Sequence, residues 1–219
     1  MEDLQLPSAA PVLKTGTTTV GVVTKDGVAM GADMRATMGH LIAHKQTQKL
    51  FRIDEHIAMT IAGGVGDAQV LVRWLSTEVQ LYKLKRGSSM SVTAASTLMA
   101  NILNQRKFTP FYVQLLIGGV DLDGSHIFSL DAAGGSIPDK FVTTGSGSVF
   151  VYGVLEDQYK DDMTIDEGLD LCIRGISASM KRDSASGDGM NICSITKERG
   201  YQQLQQADIL ARRKRMGVL

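Results

Sequence analysis

The hydrophobic and polar positions divide the chain at Thr17. Residues 1–16 show no period and contain Pro7 and Pro11, which predicts an extended leader outside the core. From Thr17 the texture becomes β-branched. Residues 18–24, the Lys25-Asp26-Gly27 turn and residues 28–33 predict a hairpin, and residues 41–43, 49–53 and 57–62 read as further strands. After the Gly63-Gly64-Val65-Gly66 break, Leu71, Trp74, Leu75, Val79 and Tyr82 recur at helical spacing. Val92, Ala95, Met99, Ile102 and Leu103 do the same behind a Ser91 cap. Strand signals return at residues 113–120, 126–130 and 141–144, and a helix is expected to open near Ser148. Thr164 and Glu167 form a capping box ahead of Ile165, Leu169, Cys172, Ile173 and Ile176. A strand over 190–196 and a short helix over 208–215 complete the order. Helices segregated in pairs between runs of strands predict an α+β fold, two packed antiparallel sheets with helices outside, in one domain over residues 17–219.

Composition narrows the functions. The 219 residues hold 23 Lys+Arg against 23 Asp+Glu, so the chain offers no general footprint for nucleic acid or an anionic membrane surface. No apolar run reaches the ~18 residues of a membrane span, and the acidic, proline-containing start is not a secretion signal. Cys172 and Cys193 lie in apolar runs and are expected to be inert core residues in a reducing, cytoplasmic compartment. His40 and His44 lack the Glu of a zinc-protease helix, so neither a metal nor another cofactor is expected. The basic run Arg212–Arg215 is expected to be a solvated helix end.

Candidate chemistry starts with Gly16-Thr17-Thr18-Thr19, where the leader meets the first strand. Threonine favours strands in any case. Cleavage between Gly16 and Thr17 would in addition expose an N-terminal threonine. Its hydroxyl is a weak nucleophile that the free amine, with a pKa of about 7.7–8.0, can activate as a base. Asp33 and Arg35 are spaced to share a strand face, where a surface ion pair is the ordinary explanation. Lys49 falls in a short strand, where most lysines are solvated. Gly63-Gly64-Val65-Gly66-Asp67 is a strand-to-helix turn without the Lys-Ser/Thr pair of a phosphate loop, and its N–H groups could serve as an oxyanion hole. Thr144-Gly145-Ser146-Gly147-Ser148 and the polar loop Arg182-Asp183-Ser184-Ala185-Ser186-Gly187 end the set.

In order and spacing, these motifs together resemble the proteasome β subunits, closest to the archaeal type. Gly16-Thr17-Thr18-Thr19-Val20-Gly21, Asp33-x-Arg35, Lys49-Leu50-Phe51 and Ile61-Ala62-Gly63-Gly64-Val65-Gly66-Asp67-Ala68 carry it with the two polar loops. The resemblance implies the four-layer αββα sandwich of N-terminal-nucleophile hydrolases. It implies a propeptide, residues 1–16, removed by autocleavage at Gly16–Thr17. It implies a threonine endopeptidase with Thr17 as nucleophile, Lys49 and its partner Asp33 favouring the alkoxide, and Gly63 as oxyanion donor. Ser146, Asp183 and Ser186 would orient the nucleophile and its amine, and Thr37 would bind substrate main chain. Ala36, Thr47, Phe51, Ile61 and Val65 would surround a pocket for large hydrophobic side chains. Implied partners are β subunits in seven-membered rings, α subunits, unfolded polypeptides and, through the α rings, a regulatory ATPase. The chain ends without a penultimate aromatic for docking such a cap directly. A bacterial two-ring threonine protease, a non-catalytic ring subunit and a small-molecule amidase are the competing readings.

Overall fold

The computed structural model describes residues 16–219. Twelve strands and five helices follow one another as β1 (Thr19–Thr24), β2 (Gly27–Asp33), β3 (Ala36–Met38), β4 (Leu41–His44), β5 (Leu50–Asp54), β6 (Ile57–Gly63), α1 (Val65–Arg86), α2 (Val92–Gln105), β7 (Val113–Asp121), β8 (Gly124–Leu130), β9 (Ser136–Pro138), β10 (Phe141–Thr144), α3 (Ser148–Gln158), α4 (Ile165–Met180), β11 (Met190–Thr196), β12 (Gly200–Gln203) and α5 (Gln206–Arg215). Two five-stranded antiparallel sheets, ordered β10-β1-β2-β11-β12 and β5-β6-β7-β8-β9, carry the fold, and β3-β4 form a separate hairpin.

Three apolar clusters define the layers. Leu71, Leu75 and Val79 of α1 and Val92, Met99 and Leu103 of α2 pack on Met59, Leu115 and Ile117 of the second sheet. Ile173 and Ile176 of α4 and Val151 and Leu155 of α3 pack on Val20, Val22 and Ile192 of the first. Val28, Met30, Leu116, Ile127 and Cys193 fill the space between the sheets. The result is the expected αββα sandwich. All seven residues of β2 are buried, since the strand is central in its sheet and covered on both faces. Each fully buried Leu, Ile or Val contributes roughly 1.5–3 kcal/mol, so these three interfaces dominate stability.

Local signals behave as the pattern predicts at the N-termini of α2 and α4. Ser91 caps α2 by accepting the Ala94 N–H, and Thr164 and Glu167 form the reciprocal capping box of α4. Removing the Thr164 hydroxyl should cost about 1 kcal/mol. A urea midpoint for Thr164→Ala unchanged from wild type would refute that estimate.

Several expectations need correction. The helix α1 starts at Val65, inside the glycine run, with Gly64 as its extended N-cap, a position glycine tolerates well, and its buried face begins at Ala68 and Leu71. Strands β3, β9 and β12 were not expected; each is three or four residues long, too short to carry a period. The apolar row Leu71–Val79 is consumed by the chain's own core, which leaves Trp74, Leu81 and Leu84 outward. The basic end of α5 is not simply solvated. Arg212 donates to Asp170 at 2.7 Å and to Asp166 at 2.6 Å, and Arg215 also pairs with Asp170, so α5 docks on α4 through charge. Cys172 and Cys193 are free and fully buried, and burial pushes both thiols far above the usual range, which makes them inert. Apart from Gly16, the leader lies outside the described residues. Among the described residues, no helix is long and apolar enough to cross a membrane.

Candidate active site

The site forms where the first strand meets four connections. Thr17 is 3% exposed. Its carbonyl accepts the Gly147 N–H at 3.3 Å, and the Thr18 carbonyl accepts the Asp33 N–H at 3.0 Å. These bonds fix the Gly16–Thr17 peptide against β2 and the 145–148 turn. The Thr17 hydroxyl donates to the Gly16 carbonyl oxygen at 2.7 Å. Gly16 itself donates its N–H to Thr37 Oγ1 at 3.0 Å. A Cβ at position 16 would lie 1.8 Å from Ala185 Cβ, so close approach, rather than an unusual conformation, requires glycine here.

Asp33 is the electrostatic centre. It is fully buried at the end of β2 and accepts four donors: Lys49 Nζ at 2.7 Å and Thr18 N–H at 2.9 Å on Oδ1, Arg35 N–H and Gly187 N–H, both at 3.0 Å, on Oδ2. Such saturation makes the carboxylate a stable buried anion. Lys49 lies immediately before β5 and is itself buried. Burial lowers its pKa from the ordinary lysine value, and the Asp33 charge opposes that shift. Its Nζ stands 3.5 Å from the Gly16 carbonyl oxygen, too long for a strong bond but close enough to polarise it.

The pairing expected from sequence spacing is different. Arg35 lies beyond the end of β2, so strand alternation no longer governs it. Its guanidinium donates to Asp188 at 2.7 Å and to the Ser184 carbonyl at 2.8 Å, which ties down the 183–188 loop. Asp33 pairs with Lys49, sixteen positions away, the partner that the family resemblance rather than the spacing implies.

A second network faces the Thr17 nitrogen. Ser146 Oγ lies 2.6 Å from Asp183 Oδ2, and Ser186 Oγ 2.7 Å from the same oxygen. A carboxylate cannot donate, so both serines must. Ser146 then has a lone pair for the Thr17 N–H at 3.2 Å. Ser186 must accept from Thr18 Oγ1 at 2.6 Å, and Thr18 in turn from Ser179 at 2.5 Å. The proton order Ser179, Thr18, Ser186, Asp183 is therefore set. Sequence reasoning missed Thr18 and Ser179; the only trace was a buried serine near the end of an apolar helix.

Gly63 ends β6 with φ +122°, and a Cβ there would lie 2.1 Å from the Tyr112 carbonyl oxygen. Gly63→Ala should therefore destabilise the chain by about 1–3 kcal/mol or move the backbone that faces Thr17. Wild-type stability together with wild-type turnover in this variant would contradict the geometry. Gly63, Gly16, Thr17 and Lys49 line one cavity. Ala36, Thr37, Thr47, Phe51, Ile61 and Val65 all line it too, with Gln48, Ala68 and Gln69, which sequence reasoning did not find. The cavity combines a held hydroxyl, a buried cation, a carbonyl between them and an apolar wall. That arrangement suits acyl transfer.

The proteasome subunit family profile matches residues 13–195. "Proteasome subunit beta" of Thermoplasma acidophilum is 53% identical over 207 residues, covering 94% of this chain and 98% of the relative. The protein of that name from Methanothermobacter thermautotrophicus is 52% identical over 197 residues, covering 90% and 94%. That from Methanosarcina barkeri is 56% identical over 184 residues, covering 84% and 87%. On sequence and fold alike, this chain belongs to the proteasome subunit family, among its β subunits.

Proposed function

We propose that the chain is the catalytic β subunit of a proteasome core particle and a threonine-type endopeptidase that matures itself. The observation that carries this is the Gly16 carbonyl, whose oxygen lies 2.7 Å from the Thr17 hydroxyl oxygen and 3.5 Å from the Lys49 ammonium. In maturation Thr17 Oγ1 attacks the Gly16 carbonyl carbon. The C–N bond breaks, the hydroxyl proton passes to the departing nitrogen, and residues 1–16 remain as an ester on Thr17. Water hydrolyses that ester, releases the leader and leaves Thr17 with a free amine.

In turnover that amine takes the hydroxyl proton, Thr17 attacks the substrate carbonyl, and the Gly63 N–H holds the developing oxyanion. The amine then gives its proton to the leaving nitrogen, and water resolves the acyl-enzyme. Lys49, held by Asp33, favours the alkoxide throughout; Ser146, Asp183 and Ser186 hold the amine in place. The hydrogen bond from Gly16 N–H to Thr37 is a main-chain contact of the kind a substrate residue would make. The intact set favours a catalytic rather than a purely structural ring subunit.

The particle is proposed to contain seven-membered β rings with α rings outside them, to act on unfolded polypeptides in the cytoplasm, and to meet a regulatory ATPase through the α rings. Outward Trp74, Leu84 and Phe108, 42%, 82% and 90% exposed, are consistent with neighbours. An acylating peptide β-lactone given to assembled particles should add its mass to the Thr17-containing peptide; a stable adduct elsewhere only would refute the assignment.

Specificity follows from the wall. Ala36, Phe51, Ile61 and Val65 supply its apolar surface, and Thr47 is uncharged. A large hydrophobic residue before the scissile bond gains roughly 1.5–3 kcal/mol on burial. Leu and Tyr fluorogenic peptides should thus exceed Glu peptides by at least about tenfold in kcat/KM. A dominant preference for Arg or Glu would contradict this pocket.

A further inference from the structure

A second ionisable cluster lies at the far end of β6 from Thr17. Gly63 ends that strand at the site, whereas Asp54 ends β5 and Glu55-His56 turn the chain into β6 at Ile57. This turn is a fixed base. The Glu55 carbonyl accepts the Tyr201 N–H at 2.6 Å, and the His56 carbonyl accepts the Val120 N–H at 3.1 Å. A Cβ at Gly119 would lie 2.1 Å from that His56 oxygen, so β7 packs on the turn at backbone contact.

The His56 ring faces two acceptors. Its Nε2 lies 2.7 Å from the carbonyl oxygen of Met90, in the connection between α1 and α2. A carbonyl only accepts, so Nε2 carries a hydrogen. Nδ1 lies 3.6 Å from Asp54 Oδ2, a buried oxygen with no hydrogen-bond partner among the described residues. A neutral ring would therefore turn the Nδ1 lone pair toward a carboxylate. A second proton on Nδ1 converts that repulsion into a charge-assisted contact. Lys83 of α1, half exposed and 3.9 Å from the same oxygen, is the competing cation, and Gln80 reaches only Oδ1. The other charges beside the ring are of both signs. Glu55, Asp121, Asp123, Lys197 and Arg199 line the cleft that His56 shares. Glu55 is paired with Arg52, and Asp121 is engaged by the Val92 and Asp123 N–H groups and by His126. Asp54 is thus the charge that decides the state of the ring.

We infer that protonated His56 is a clasp that ties the α1–α2 connection to the β5–β6 turn and that opens as pH rises. The doubly protonated ring bridges Asp54 and the Met90 carbonyl, so the clasp is closed on the acidic side. Losing the Nδ1 proton restores the repulsion and leaves Asp54 to Lys83 alone. The connection is the part that gives way, because β7 and β12 hold the turn in place. Met90 is buried in the core beneath α1 and α2, and the first N–H groups of α2 rest on Ser91 and Asp121. Opening the clasp therefore loosens the start of α2. None of this depends on the chemistry at Thr17.

The test is amide hydrogen exchange in assembled particles over residues 87–95, which span the connection and the first turn of α2. Rates are corrected for the intrinsic pH dependence of exchange. In the wild type the corrected rate should rise by about fivefold or more between about pH 5.5 and pH 8. His56→Gln has no second proton to lose, and Asp54→Asn has no charge to meet it, so in each the rise should stay below about twofold. Lys83→Met removes the competing cation and should keep a rise at least as large as that of the wild type. A flat wild-type profile overturns the inference, as does a full rise in His56→Gln or Asp54→Asn. Should either of those variants fail to assemble, the wild type and Lys83→Met still decide, because a rise that vanishes in Lys83→Met would make Lys83 the group responsible.

Discussion

Particles assembled with Thr17→Ala are expected to keep residues 1–16 and to hydrolyse no peptide above background. One hydroxyl serves both reactions, so both should vanish together. Its oxygen already lies 2.7 Å from the carbonyl oxygen of the bond it would cleave, and no other hydroxyl hydrogen-bonds to the Gly16 carbonyl among the described residues. Losing a nucleophile removes the covalent route altogether, so turnover should fall by at least about 10⁴-fold. Folding should survive, because the Thr17 backbone bonds to Ser146 and Gly147 do not involve its hydroxyl. Thr17→Ser separates nucleophile from shape. It keeps the oxygen but loses the methyl that restricts χ1, so both reactions should persist at reduced rates. Intact mass and peptide turnover on the same preparations decide the matter. A Thr17→Ala particle that removes its leader, or cleaves peptides, would contradict the assignment.

Asp33→Asn should damage folding and catalysis together, and more severely than Lys49→Ala. An amide cannot accept all four donors that surround the carboxylate; its NH₂ group would confront the N–H of Arg35 and Gly187, or those on the other side. It would also leave the Lys49 ammonium buried without its counter-charge, and breaking a buried pair in this way costs about 3–5 kcal/mol. Lys49→Ala leaves Asp33 with its three backbone donors, so that fold should hold while maturation and turnover slow by about 10²-fold or more. The pH profile gives an independent check. Activity needs the ammonium, so the rate falls as pH rises through the Lys49 pKa. Burial already sets that pKa below the ordinary lysine value, with Asp33 as the first group resisting the shift. Removing Asp33 lowers it further, so the alkaline limb of whatever activity remains should move to lower pH. An unmoved limb with normal thermal stability would show that Asp33 does not hold Lys49.

The layers were legible because their signals are local and repeated. The capping box at Thr164 and Glu167, the Ser91 cap and the row Leu71-Leu75-Val79 each specify a helix and its buried face within a few turns. The site was legible differently. Gly16-Thr17, Lys49, Gly63, Ser146 and Asp183 are unremarkable singly, and composition or period alone would leave Lys49 a solvated strand lysine. Their joint order and spacing identified them through the family resemblance. The resemblance also supplied the Lys49–Asp33 pair, but spacing and pattern alone did not reach the partners of each group. Nothing in a two-residue spacing says that Asp33 turns inward to Lys49 while Arg35 reaches across to Asp188, because that choice depends on where β2 ends. The Ser179-Thr18-Ser186-Asp183 order needs contacts between residues up to 168 positions apart.

The most direct test of the account is the intact mass of this chain taken from peptidase-active particles. The account predicts a chain beginning at Thr17, with residues 1–16 absent and the threonine amine free. An active particle whose chains all still begin ahead of Thr17 would contradict it, because the amine proposed as the base would then be locked in an amide bond.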